Sequence, residues 1–159
     1  MFAVARPTLS AMLVTAALTG CSVFEPDYYN CDSQLTSYPE ASRSTVTTQI
    51  TNQDVEVRFN GVSATCYDEA DGTVIEVAIG LKVIRDLEDS VEVAPVNVPL
   101  ASALIAGNDT VLSRSSFSYD MQFPDGVRVL YPLVRREFKI PRDGRVVLAL
   151  TPEILNTTE

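Results

Sequence analysis

Between Val55 and Thr151 apolar side chains recur at every second position over long stretches. In Thr73–Arg85, the residues Ile75, Val77, Ile79, Leu81 and Val83 fall on one face and Glu76, Ala78, Gly80 and Lys82 on the other. That period of two marks a half-buried β-strand. Phe117, Tyr119, Met121 and Phe123 alternate with Ser116, Ser118, Asp120 and Gln122, and Val146, Leu148 and Leu150 alternate with Val147, Ala149 and Thr151. No segment carries a sustained helical stripe; the nearest candidate, Pro99–Ala106, is too short to change the class. The dipeptides Asn60-Gly61, Asp71-Gly72, Gly107-Asn108, Asp125-Gly126 and Asp143-Gly144 divide the runs, and such residues reach the positive φ angles of tight turns at little steric cost.

The pattern predicts strands at about 46–50, 55–59, 62–68, 73–85, 93–106, 110–123, 127–140 and 145–151. Asn60-Gly61 reads as either a hairpin or a bulge within one long strand. The apolar phase flips across it, from odd (Val55, Val57, Phe59) to even (Val62, Ala64, Cys66), as an extra residue requires. Pro95 and Pro99 lack N–H groups on the same side of their strand, which places that strand at a sheet edge. Asp32–Asp54 is rich in Ser and Thr and has weak periodicity, so it is expected to be irregular apart from an edge strand near Val46–Ile50. Together these features predict an all-β fold, an immunoglobulin- or fibronectin-like antiparallel β-sandwich of about seven or eight strands, with a small β-barrel as the alternative. The chain has no Trp, so the Cys…Trp…Cys signature of immunoglobulin domains is absent and the likeness is architectural.

The first residues, MFAVARPTLSAMLVTAALTGC, follow a different logic. One positive charge at Arg6 precedes an apolar run from Leu9 to Leu18 and then small residues before Cys21. This is signal-peptide anatomy, and the run is too short for a permanent membrane span. The boundary Leu18-Thr19-Gly20-Cys21 resembles the lipobox of bacterial lipoproteins. The resemblance implies cleavage between Gly20 and Cys21, lipidation of Cys21 as the first mature residue, and outer-membrane sorting favoured by Ser22, with the inner membrane as the alternative. An ordinary secretory leader followed by a chance cysteine is the competing reading.

Composition then narrows the function classes. The 159 residues carry 12 Lys+Arg against 21 Asp+Glu and no His. Without His there is no Ser-His-Asp or Cys-His triad and no His-ligated zinc or haem. A net charge of −9 argues against nucleic-acid binding, which needs a basic face. Removing 20 of the 159 residues leaves 139, and the lost Arg leaves 11 basic against 21 acidic residues, a net −10. Anionic headgroups would repel such a chain mildly, so acyl chains must supply its membrane attachment.

With Cys21 acylated, Cys31 and Cys66 remain as an even pair in an oxidising compartment, which reads as one disulfide. The alternatives are two unpaired thiols or a metal site, and two thiolates without His do not complete a zinc set. A Cys31–Cys66 bridge would leave Ser22–Asn30 as free tether, with a reach of at most about 30 Å. Tyr28-Tyr29 and Phe24 within it read either as an interfacial aromatic anchor or as rings packed under the disulfide.

Other candidate chemistry is weak. Tyr67–Gly72 suggests a calcium loop, but an EF-hand register with Gly72 sixth puts Tyr67 first and Ala78 twelfth, neither of which is a ligand; an acidic hairpin turn fits better. Arg135-Arg136, Arg142 and Arg145 form the one basic concentration, yet adjacent strand residues face opposite sides, and pairing with Glu137 and Asp143 is the plain expectation. Ser113, Ser115, Ser116 and Ser118 have no general base beyond Lys82 or Lys139.

The expected organisation is a signal peptide at 1–20, a lipidated N-terminus, tether and irregular segment at 21–53, and a β-sandwich at 54–159. The leader, the Cys31-Asp32-Ser33 start, GVSATCYDEADG and the closing LTPE also resemble a group of small proteobacterial envelope lipoproteins, and no activity comes with that likeness. The expected function is a lipid-anchored, non-enzymatic envelope protein without cofactor. It would act by binding, as a scaffold with a protein partner at the periplasmic face of the outer membrane. The alternative is a periplasmic carrier of a lipid or other hydrophobic ligand.

Overall fold

The computed structural model describes residues 26–48, 53–86 and 95–150. These form an all-β sandwich of two open sheets, not closed into a barrel. In chain order the strands are β1 (Tyr29–Asn30), β2 (Leu35–Ser37), β3 (Arg43–Thr47), β4 (Asp54–Glu69), β5 (Gly72–Arg85), β6 (Pro95–Ile105), β7 (Val111–Gln122), β8 (Val129–Leu130), β9 (Leu133–Ile140) and β10 (Arg145–Ala149). In one sheet β4 and β5 are central; β1 and β3 pair with the outer side of β4, and β8 and β9 with the outer side of β5. The other sheet runs β2-β10-β6-β7, with β2 and β10 the one parallel pair among the described residues.

The alternation read from the sequence is the alternation that packs. Ile75, Val77, Ile79, Leu81 and Val83 all line the core at no more than 1% exposure. Burying such a side chain fully stabilises the fold by about 1.5–3 kcal/mol. They share one core cluster with Val96, Val98, Leu100, Val146 and Leu148 of the second sheet and with Leu150 and Phe123 just past its strands. At the end of β5 the alternation buries Arg85 at 6% exposure. Its Nε and Nη2 donate to the carbonyls of Val127 and Pro124 at 2.8 and 3.2 Å, and its guanidinium lies 4.8 Å from the Phe123 ring centre. These contacts replace the water a buried charge would lose.

Asn60-Gly61 is a bulge and not a hairpin. β4 continues through it, and its register against β5 shifts between Phe59 and Val62. Gly61 has φ +103°, the left-handed side that glycine takes most readily. Across from the bulge a Cβ on Gly80 would stand 2.9 Å from the Asn60 carbonyl oxygen, so β5 needs glycine where the extra residue crowds it.

Four strand expectations change. The strand expected at 127–140 is broken into β8 and β9 around Tyr131-Pro132, because Pro132 has no N–H for the ladder; its carbonyl instead accepts from Leu81 at 2.9 Å. The edge strand expected at 46–50 is β3, which starts earlier, at Arg43, and runs to Thr47; positions 49 and 50 lie outside the described residues. β6, expected at an edge, has β10 on its far side only over Ala101–Ile105; among the described residues Pro95–Leu100 pair with β7 alone, so both prolines lie where β6 is an edge. The segment expected to be irregular after Cys31 instead ties the sheets together. β2 joins the second sheet, and Ala41 in a 3₁₀ turn packs on Ala101 and Ala149. Then β3 returns to β4.

Candidate functional site

The disulfide joins Cys31 to Cys66, with Cα atoms 5.9 Å apart, and both cysteines are buried. Around it the chain is fastened further. Asp32 Oδ1 accepts the Ala64 N–H at 2.7 Å, Asn30 Nδ2 donates to Asp32 at 3.0 Å, and the Cys31 N–H donates to the Ala64 carbonyl at 3.3 Å. β1 pairs Tyr29 with Cys66 and Asn30 with Thr65.

This changes the expected tether. Tyr28 lies edge-on to Tyr67 with ring centres 5.3 Å apart, and its hydroxyl donates to Glu76 at 3.4 Å. The Tyr29 hydroxyl donates to Asp68 at 3.1 Å. Tyr28 to Asn30 are therefore docked on β4 and are not free chain. Tyr28 packs on Tyr67, Tyr29 lies opposite Cys66 in the register, and the two side chains remain 52% and 42% exposed. Phe24, Gly20 and Cys21, with the whole leader and lipidation motif, lie outside the described residues.

Charged and polar side chains cluster at this corner. Thr73 Oγ1 donates to Asp68 at 2.8 Å; with the Tyr29 hydroxyl, that bond keeps the Asp68 carboxyl below its ordinary range. The Ala64 amide and Asn30 do the same for Asp32, and Lys139 for Asp71. Lys139 bridges Asp71 and Glu69 at 2.8 and 2.7 Å and is itself pushed up by them. The acids of the Tyr67–Gly72 turn are thus engaged with Lys139, Thr73 and Tyr29, and among the described residues no group of three or more His, Cys, Asp or Glu is arranged to hold a metal. A carboxyl whose folded value is lowered stabilises the fold at pH above its unfolded value near 4, and loses that contribution as pH falls through the folded value. The melting temperature is therefore expected to be insensitive to these groups above about pH 5 and to fall below about pH 4. Asp68→Asn should flatten part of that acid limb; a limb unchanged from wild type in melts across pH 2.5–7 would contradict the assignment.

Arg135 and Arg136 face opposite sides, as expected of neighbours on a strand. Arg136 lies 4.6 Å from the ring centre of Phe117 on β7, closing the gap between the two sheets at that edge. Arg135 lines a shallow hollow of about 340 Å³ on the outer face of the first sheet, with Thr65, Glu76, Ala78 and Glu137. There the register sets Glu76 opposite Glu137. The expected partners of the other two arginines are replaced: Arg145 bridges Asp109 at 2.7 Å, and Arg142 donates to the Glu69 carbonyl at 3.2 Å. The four serines sit on β7 in one sheet, whereas Lys82 and Lys139 belong to β5 and β9 in the other. Lys82 lies over the Tyr131 ring at 5.8 Å.

The docking of Tyr28 on Tyr67 and the hydrogen bond from the Ala64 N–H to Asp32 were not read from sequence. Their signal, aromatic and acidic residues flanking Cys31 and Cys66, becomes legible only once the disulfide sets β1 beside β4. No family model matches the chain, and no curated protein or solved structure matches it either.

Proposed function

We propose that this chain is a lipid-anchored envelope lipoprotein that works by binding, as a scaffold component without catalysis. The observation that carries the reading is the sequence of the leader, with Leu18-Thr19-Gly20-Cys21 closing a short apolar run. The Cys31–Cys66 disulfide supports an oxidising compartment. With Tyr28 docked, the tether shortens to Ser22–Asp27, a reach of about 20 Å, which would hold the sandwich against the membrane surface. Ser22 favours the periplasmic face of the outer membrane. At a net −10 for the mature chain, acyl chains and not headgroup attraction would supply the attachment.

Buried side chains of both sheets form one cluster, which supports a scaffold over a carrier, because a carrier needs unfilled apolar space between the sheets. Crosslinking in intact envelopes, followed by purification of the chain, tests this. A defined protein partner is the expected product. A stoichiometric bound lipid with no protein would favour the carrier instead.

A further inference from the structure

We propose that β7 is a self-association edge, where two copies of this chain pair antiparallel and join their second sheets into one. This stands on the strand geometry and does not depend on acylation.

An open sheet edge invites pairing, and proteins usually blunt it by shortness, proline or inward charge. Among the described residues, β1, β2, β3 and β8 are edges of only two to five residues. β9 is longer but carries Arg135, Arg136, Glu137 and Lys139, with Arg136 on the inward side beside Val134 and Phe138. Among the described residues, β7 is the sheet's last strand and has none of these protections. It runs twelve residues, contains no proline, and has just one cation, Arg114, and one acid, Asp120.

The prolines of β6 show which groups of β7 face outward. Pro95 lies opposite Gln122 and Pro99 opposite Ser118. A proline cannot exchange both ladder bonds, so these are non-hydrogen-bonded pairs, and alternation extends that to every even position from 114 to 122. Those residues turn their N–H and C=O groups away from β6 and toward the open edge.

A second β7 can use them in a register of charge complementarity. Pairing Phe117 with its own copy across a two-fold axis sets Arg114 opposite Asp120 twice and Ser116 opposite Ser118 twice. All of these are even positions, as the ladder requires. Shifting by one pair in either direction sets Asp120 opposite Ser116 or Leu112 and loses both charge pairs. Even pairs with even, so the inward side chains Phe117, Tyr119 and Met121, now half-buried, stay inward in both copies and gain cover. The interface is isologous and closes on itself.

Sedimentation of the full chain, purified as cells produce it, whether from the membrane or the soluble fraction, tests the pairing. The expected result is a concentration-dependent dimer. Arg114→Asp places two acids opposite two acids and should weaken dimerisation by about tenfold or more. The exchange Arg114→Asp with Asp120→Arg should restore it. Ser116→Pro removes an outward N–H without touching a bond to β6 and should abolish dimerisation while the melt remains cooperative. A chain monomeric at all concentrations would overturn the proposal. So would a dimer indifferent to charge reversal, a failed restoration, or an edge occupied by an extended segment of another protein.

Discussion

Replacing Cys31 and Cys66 together by serine is expected to cost about 3–4 kcal/mol of folding stability, since their bridge closes a loop across a separation of 35 residues. The loss has a local and a global part. β1 is two residues long and docks its strand on β4 beside Cys66. Without the bridge, residues 26–34 should fray before the body unfolds. The body should then unfold at lower denaturant concentration, because β2 and β3 lie between the two cysteines and tie one sheet to the other. Urea titrations of the wild type, the double serine variant, and the wild type under reductant check this. The second and third curves should coincide and fall well below the first. Three coincident curves would mean that the bridge constrains nothing.

Leu81→Ala should be comparably damaging, at about 3–4 kcal/mol, because it empties a fully buried position on a central strand. Its neighbour is the control. Lys82 points to the outer face, half-exposed over Tyr131, and Lys82→Ala should cost under about 1 kcal/mol. A large ratio between adjacent substitutions is the energetic form of the period-two pattern. Against a typical stability of about 5–15 kcal/mol, the Leu81 variant loses a large fraction of the total. Denaturant midpoints measure both variants, and equal effects would mean that the faces of β5 are misassigned.

The body of the sandwich was legible because its strands announce themselves locally. In β5 every second residue goes inward, and the phase flip at Asn60-Gly61 carried the mark of an extra residue even while hairpin and bulge both remained open. What local reading missed depends on partners far along the chain. Leu35–Ser37 has no period of its own and becomes a strand because Val146–Leu148 lies beside it in parallel. The interruption at Tyr131-Pro132 could have been read from the proline. The alternation on either side concealed it. Arg85 went inward because the strand's phase reached it before the strand ended, and two carbonyls and the Phe123 ring, none of them predictable from spacing, were there to receive it. Arg145 found Asp109 and not Asp143 because the ladder puts it opposite Ile105, beside the turn that carries Asp109.

At the candidate site the Cys31–Cys66 pairing was legible once the lipobox resemblance set Cys21 aside and left an even pair, and the docking of Tyr28 and Tyr29 was not. Under the proposed function that docking matters through length: every residue fastened to β4 would be one fewer in the tether and would draw the sandwich toward the membrane surface. The most direct test of the account is therefore metabolic labelling of the full chain with radioactive palmitate. The wild type should take up label and fractionate with membranes, while Cys21→Ser should take up none and retain its leader; equal labelling of the two, or no labelling of either, would contradict the lipid anchor on which the proposed function rests.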